Sequence, residues 1–232
     1  MIRKASILFL KGEIDKSFEI LKTQESLIGG DLRLKKQLSS HEFLIQAQQC
    51  IRSSRYHSAE IYLSKLRSQD GEYGSVDIEA QLFYLSALLE FRMGNVETAV
   101  NIIDQVLSSQ LALKSNNKLW FIKFTLLRCE LVISTNSSSS VRALSQVIQC
   151  FKMAQESGYA TLQMEAVLKL IDILIYLSQF DDALGLIQEM LPMFVGSVDL
   201  ELTSKAFLSY AQILILKFKQ DSVKDASLIT KI

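Results

Sequence analysis

The sequence predicts an all-α protein, a right-handed superhelical solenoid of about five to six helix pairs, and three observations support this fold class. The 232-residue chain contains a single proline, which helix interiors exclude because proline lacks an N–H group and clashes with the preceding turn. It contains only nine glycines, whereas a β-rich protein of this size needs many more turn residues. A small residue also recurs every 40 to 44 residues, which indicates an internal repeat. These small residues are Ser17, Ala59, Ala99, Ala143, Ala183 and Ala226.

Each small residue belongs to a local pattern that predicts a tight turn followed by a helix. An apolar or aromatic residue stands three positions before it, as Tyr56 does before Ala59. The copy at Ala143 is degenerate, because Ser140 stands where the apolar residue is expected. Apolar residues follow at about +3 and +4, which is the core stripe of an amphipathic helix. The small residue is interpreted as the point where the two helices of a pair approach closely.

The pattern arranges the whole chain as one array of helix pairs, each with a first (A) and a second (B) helix. In the last pair an A helix is expected over residues 198–217, and a B helix begins near Val223, so that this pair is incomplete. Turns within pairs are predicted at Gly12, at 53–56, at 94–95, at 137–140 and at Gln179. The predicted pairs cover residues 2–28, 39–70, 76–112, 116–157, 159–195 and 198–232.

Two kinds of cap signal support the helix starts. The segments 75–79 and 197–201 share the pattern Ser-Val-Asp-apolar-Glu, 122 residues apart, and are interpreted as the starts of two A helices. Serine or aspartate before an apolar run is typical of a helix N-cap, and acidic residues favour the first turn. Ser39 and Glu42 have the spacing of a capping box ahead of Phe43.

The class of repeat is decided by one turn. A period near 42 is longer than the 34 residues of a standard tetratricopeptide repeat, and it overlaps the range of HEAT and armadillo arrays. Residues 94–99 read Gly-Asn-Val-Glu-Thr-Ala, which resembles the Gly-x-apolar-x-x-Ala turn of tetratricopeptide repeats. The repeats are therefore interpreted as tetratricopeptide-like with extended helices of 40–44 residues per pair, and HEAT or armadillo repeats stay the alternative.

Composition excludes several classes of protein. The formal net charge is zero, with 25 basic and 25 acidic residues, whereas a nucleic-acid-binding protein usually carries a basic surplus. Cys50, Cys129 and Cys150 are odd in number and widely spaced in apolar stretches, which predicts buried thiols in a reducing compartment. The apolar run at residues 2–10 is too short for a signal peptide and is followed by Lys11.

No set of residues predicts catalysis, a metal or a cofactor. His41 and His57 are the only histidines, and both are interpreted as lying at helix ends, whereas acid–base catalysis usually needs a histidine or tuned carboxylates in a site. The pair Asp181-Asp182 is interpreted as a helix cap. The chain is therefore predicted not to be an enzyme and to bind no small-molecule substrate.

Three features are candidates for partner contacts. Phe121 and Phe124 have the spacing of a helix core and are interpreted as packing between repeats. Trp120 lies one position off that stripe, and aromatic residues often anchor interfaces. Asn101 resembles an asparagine that clamps peptide carboxylates in chaperone-binding tetratricopeptide domains, although the rest of that clamp is absent. An exposed apolar edge that includes Leu208 and Phe218 is expected, because a terminal repeat without a polar cap leaves apolar surface open.

Over about residues 40–217 the sequence resembles the C-terminal tetratricopeptide region of subunit 5 of the anaphase-promoting complex (cyclosome). Residues 55–59, Arg-Tyr-His-Ser-Ala, match a Lys-Tyr-His-x-Ala turn of that family. Residues 166–187 and the following stretch 190–197 resemble its penultimate helix pair, and residues 205–211 resemble a later helix. The irregular repeat lengths are shared with the family, whereas its N-terminal helical domain is absent.

The resemblance implies a scaffold subunit of a cullin–RING ubiquitin ligase that acts in cell-cycle control, in the nucleus and cytoplasm. Its partners would be other platform subunits, and catalysis would lie in those other chains. Two alternatives stay open: a peptide-binding adaptor or co-chaperone, and a scaffold subunit of another large complex of the proteasome-lid or signalosome type.

Overall fold

A computed structural model describes residues 2–11, 13–27, 32–68, 75–109, 118–135 and 140–229. Within these ranges the protein is all-helical, without a strand, as predicted. The helices are α1 Ile2–Leu10, α2 Ile14–Leu27, α3 Leu32–Arg52, α4 Tyr56–Arg67, α5 Val76–Arg92, α6 Val96–Ser108, α7 Lys118–Thr135, α8 Ser140–Glu156, α9 Ala160–Tyr176, α10 Phe180–Val195 and α11 Leu200–Ile229.

The chain forms two compact units, Met1–Leu131 and Val132–Ile232, and the boundary falls inside α7. In the first unit, α1 packs on α2, α3 on α4 and α5 on α6, and neighbouring A helices such as α3 and α5 also pack on each other. In the second unit, α9 packs on α8, α10 and α11, and α10 packs on α11. That all helix pairs of residues 1–232 form one continuous solenoid stays a prediction.

The recurring small residues are buried wherever the structure describes their side chains. Ala59, Ala99 and Ala183 are completely buried, and Ala143 is almost so. Ser17 is also fully buried, and its hydroxyl donates a hydrogen bond to the carbonyl oxygen of Ala5 at 2.8 Å, which ties α2 to α1. The side chain of Ala226 lies outside the described residues. Burial of the small residues is therefore confirmed at these positions, and at Ser17 the hydrogen bond shows that the two helices approach closely.

Three A-to-B turns share one geometry that the sequence pattern did not reveal. The middle residue of each turn, Ser54, Gly94 or Ser178, adopts a positive φ of 57°, 88° or 58°. In the turn at Gly94, the amide of Gly94 donates to Phe91 and that of Asn95 donates to Glu90. This is the Schellman arrangement, which satisfies the last carbonyl groups of a helix. The middle residues are spaced 40 and 84 residues apart, in step with the repeat.

The A helices bury equivalent positions in a regular register. Leu38, Ile78, Trp120, Leu162 and Leu202 are buried and follow one another at intervals of 40, 42, 42 and 40 residues. Ile78 and the residues four, seven and eleven positions after it share a core with Leu44 and Leu63 of the preceding pair. The observed register of A helices therefore has a period of 40 to 42 residues.

The predicted start of α3 is wrong. The capping box at Ser39 and Glu42 placed the helix start at 39, whereas α3 begins at Leu32. Ser39 lies inside the helix, where its hydroxyl donates to the carbonyl oxygen of Lys36 at 2.9 Å. A serine hydroxyl can make this bond within a helix as well as a cap bond, so that spacing alone does not define a start.

The start of α11 is also shifted from the prediction. Ser75 caps α5 as expected, since its hydroxyl accepts a hydrogen bond from the amide of Ile78 at 3.3 Å. In α11 the cap is Asp199, whose carboxylate accepts from the amides of Glu201 and Leu202 at 3.0 and 3.3 Å. The capping positions of α5 and α11 are therefore 124 residues apart, and not the 122 of the sequence match.

The predicted break between an A helix ending at 217 and a B helix beginning near Val223 is wrong. Helix α11 continues from Leu200 to Ile229. In the register that pairs Ser75 with Asp199, Phe218 takes the place of Gly94, the residue with positive φ. A bulky side chain disfavours positive φ, and the helix therefore continues through this position.

Candidate functional site

The most distinctive surface is an exposed apolar stripe on α11. Leu208 is 69% exposed and Phe218 is 74% exposed, so that the predicted apolar edge is present. Along this line the exposed positions between Leu200 and Phe218 are small or apolar, whereas Lys205 and Gln212 are exposed beside it. We call this surface the α11 stripe; it comprises Leu200, Ser204, Phe207, Leu208, Ala211, Leu214, Ile215 and Phe218, all of which are exposed.

The opposite face of α11 packs on α9 and α10. Leu202, Ala206 and Ile213 are buried in a core with Ile171 and Ile187. The hydroxyl of Tyr210 accepts a hydrogen bond from Gln188 of α10 at 3.4 Å. Helix α11 is therefore apolar on two opposite faces over its first five turns. This pattern is typical of a helix that packs against neighbouring helices on both faces.

Basic side chains lie near the C-terminal part of the stripe. Lys217 donates a hydrogen bond to Asp181 in the first turn of α10, and this contact raises the pKa of Lys217. Asp181 therefore forms an ion pair between helices. The prediction that Asp181 and Asp182 form a cap is wrong, because Gln179 is the N-cap of α10 and both aspartates lie in its first turn. Lys219 is exposed on the flank of the stripe.

Trp120 is a core residue and is therefore not available as a surface contact. It is only 6% exposed, and its indole N–H donates to the carboxylate of Asp77 at 3.0 Å. Its ring lies 6.2 Å from that of Tyr84 and 6.4 Å from that of Phe124, measured between centroids. The ammonium group of Lys123 lies 5.3 Å from the centroid of the Trp120 ring, within the range of a cation–π contact.

The remaining polar candidates lie on separate surfaces. Asn101 is exposed on α6, and its role in peptide binding stays a prediction. His57 is exposed near the start of α4, where it lines an open depression with Glu60, Ile61, Ser64, Lys65 and Ser68. His41, expected at a helix end, lies inside α3 and is half-buried.

His41 is expected to make stability depend on pH. Burial lowers the pKa of His41 from its ordinary value of 6.5, and the negative charge of Asp77 opposes this shift. Because the unfolded chain binds a proton at a higher pH than the folded one, stability is full above about pH 6.5 and falls as the pH drops below it. We expect His41→Gln to reduce this loss between about pH 7.5 and pH 5.5, measured as the change in the midpoint of urea unfolding.

The matched control for this experiment is His57→Gln, because His57 is exposed. That variant should retain the pH dependence of the unmodified protein. Equal pH dependence of the unmodified protein and His41→Gln would contradict the prediction.

The described residues contain no group of three histidine, cysteine or acidic side chains that could hold a metal ion. Cys50, Cys129 and Cys150 are buried, as predicted. No described helix is both long and apolar enough to cross a membrane. In comparisons with known proteins, no family model and no curated protein matches this sequence.

Proposed function

We propose that this protein is a non-catalytic scaffold that binds other proteins through the exposed surfaces of stacked helix pairs. The observation that carries the proposal is the α11 stripe, an uncharged apolar line about five turns long on a helix whose opposite face is already packed. An uninterrupted exposed apolar surface of this kind marks a protein interaction site. Helix pairs that stack in one direction, as in tetratricopeptide arrays, would form the right-handed superhelix that presents it.

The resemblance to the platform subunit of the anaphase-promoting complex supplies the specific form of this proposal. In that reading the protein joins a large ubiquitin ligase through contacts with neighbouring subunits, and the chemistry occurs elsewhere in the assembly. The peptide-binding alternative is favoured by one observation, the exposure of Asn101 on α6. An adaptor of that kind should bind a short acidic C-terminal peptide, and Asn101→Ala should weaken that binding.

The test is affinity purification of the tagged protein from cells, followed by size separation and mass spectrometry. We expect cullin-type and RING-type subunits in a megadalton fraction. The double variant Leu208→Glu with Phe218→Glu should lose them, because it places charges on the α11 stripe. Ile61→Glu is the control, since Ile61 is an exposed apolar residue on α4, in the other compact unit. Recovery of a large assembly without either type of subunit would contradict the ubiquitin-ligase reading.

A further inference from the structure

The α11 stripe occupies positions that are covered in the other A helices. In the register that pairs Ser75 with Asp199, Phe207, Leu208, Ala211 and Ile215 lie 124 residues after four residues of α5. Those four residues belong to a core that α5 shares with Ala99 and Ile103 of its B helix, α6, and with residues of the next A helix, α7. They are Phe83, Tyr84, Ala87 and Phe91.

The same relation holds in the second unit. The equivalent residues of α9 lie in one core with Ala183 and Ile187 of its B helix, α10, and with residues of the next A helix, α11. These α9 residues are Val167, Leu168, Ile171 and Ile175. In both pairs, then, the surface that is open on α11 receives the B helix of the same pair, together with part of the next A helix. Chemically the α5 and α11 surfaces also agree closely, because phenylalanine and alanine recur at the first and third positions.

The turn that would bring a B helix back onto the stripe is not formed. Three A helices end in a turn with positive φ at Ser54, Gly94 or Ser178. The equivalent position in α11 is Phe218, and α11 continues past it. The stripe therefore corresponds to the surface that receives a B helix in the other pairs, on a helix that continues past the position of the turn.

The B helices of this chain show which residues such a site accepts. In α4, α6 and α10, a fully buried alanine is followed four positions later by a buried leucine or isoleucine. In α4 and α6 a buried leucine or valine follows at the seventh position, as Leu66 and Val106 do. The first turns of α6 and α10 carry acidic residues, Glu97 in one and Asp181 with Asp182 in the other.

Charge complementarity sets the direction of the occupant. A B helix runs antiparallel to its A helix, so that its first turn lies beside the C-terminal part of the A helix. On α11 that part carries Lys217, which is paired with Asp181, and also Lys219 and Asp221. The contact of Asp181 with Lys217 shows that the acidic first turn of α10, which packs on the buried side of α11, pairs with a lysine of this part. An occupant with an acidic first turn would meet Lys219 on the flank of the stripe.

We propose that the α11 stripe binds a single amphipathic α-helix of a partner protein, which lies antiparallel to α11 and takes the place of a B helix. The partner helix carries an acidic first turn and a small residue followed by aliphatic residues four and seven positions later. This inference rests on the proposed protein-binding function and specifies the chemistry of the partner. The helix would be about 13 residues long, as α6 is, and would cover about 20 Å of the stripe.

The probe for this site is a fluorescent peptide with the sequence of residues 95–109, the α6 segment. Its helix would be fixed by a cross-link between positions 101 and 105, both of which are exposed in α6, because an isolated helix of this length is marginal in water. Saturable binding to the intact protein is expected by fluorescence anisotropy. Leu208→Glu should weaken the binding at least tenfold, whereas Ile61→Glu should leave it unchanged.

A variant peptide distinguishes specific packing of the helix on the α11 stripe from nonspecific hydrophobic binding. Replacement of the peptide's alanine at position 99 by phenylalanine should weaken binding at least tenfold, because this alanine is the point of close approach. Equal or tighter binding of the phenylalanine peptide would overturn the proposal. So would an absence of saturable binding to a protein whose circular dichroism shows the folded state.

Light scattering on the purified protein tests the rival occupant, a second copy of this chain. A monomer is expected for both the unmodified protein and Leu208→Glu. A dimer that Leu208→Glu dissociates would assign the stripe to self-association and overturn the proposal. Peptide binding without recovery of a large assembly from cells would overturn only the scaffold function, whereas recovery without peptide binding would overturn only this inference.

Discussion

Replacing Phe124 by alanine is expected to lower the free energy of unfolding of the unit Met1–Leu131 by about 3–5 kcal/mol. The Phe124 side chain is completely buried. Its ring meets Tyr84 edge-on at 5.8 Å and lies 6.4 Å from Trp120, measured between centroids. Because these neighbours are held on α5 and α7, they cannot close the cavity that the lost ring leaves. Urea unfolding followed by circular dichroism measures the loss, and hydrogen exchange of the α5 and α7 amides locates it.

The matched control is Phe218→Ala, which removes the same ring from a position that is 74% exposed. We expect its effect on stability to stay within about 0.5 kcal/mol. Equal losses in the two variants would show that the cluster of Tyr84, Trp120 and Phe124 does not hold α5 and α7 together.

The A helices bury two faces, and this explains why Trp120 was assigned wrongly. In α7, Trp120 and Phe124 face a core that α5 and α6 share, whereas Ile122 and Cys129 are buried on another side. A periodicity search for one apolar stripe assumes a helix with one buried face. On a helix with two buried faces, such a search predicts that residues of the second face are exposed. Sequence alone therefore predicted the helix and not the burial of its tryptophan.

Helix boundaries were predictable where the chemistry of the turn is unambiguous. Gly94 adopts positive φ easily, and the turn after α5 lies where it was predicted. Serine gives a weaker signal, because Ser54 adopts positive φ, Ser75 caps a helix and Ser39 lies inside one. At the start of α11, Ser197 and Asp199 can both act as caps, and burial of Leu202 against α9 and α10 is consistent with Asp199.

The candidate site was predicted in part. Apolar patterning indicated an exposed edge around Leu208 and Phe218, and both residues are exposed. The same pattern predicted a B helix from Val223, because a small residue three positions after an apolar one resembles the repeat turn. It did not take account of the bulky Phe218 at the position that requires positive φ. The stripe is equivalent to the covered face of α5. This equivalence follows from the alignment of buried positions in the two helices, and burial depends on tertiary packing.

Substitution of Ala183 by leucine is expected to destabilise the unit Val132–Ile232 by about 1–3 kcal/mol. Ala183 is the small residue of its pair and is completely buried among Val167, Leu168 and Ile171 of α9. Three additional carbon atoms at this point must separate α10 from α9. That separation would strain the contact of α10 with α11, including the ion pair of Asp181 with Lys217. Thermal and urea unfolding measure the loss.

Ala211→Leu is the matched control, because Ala211 is exposed on the α11 stripe and its enlargement meets no neighbouring helix. Its stability should change by less than about 0.5 kcal/mol. If Ala183→Leu were equally mild, the small residue would not mark a close approach of two helices, and the repeat would have to be defined by another position. A large difference between the two variants would instead tie the 40- to 44-residue spacing of small residues to packing. The same rule of close approach would then apply to the small residue of any helix that binds the stripe.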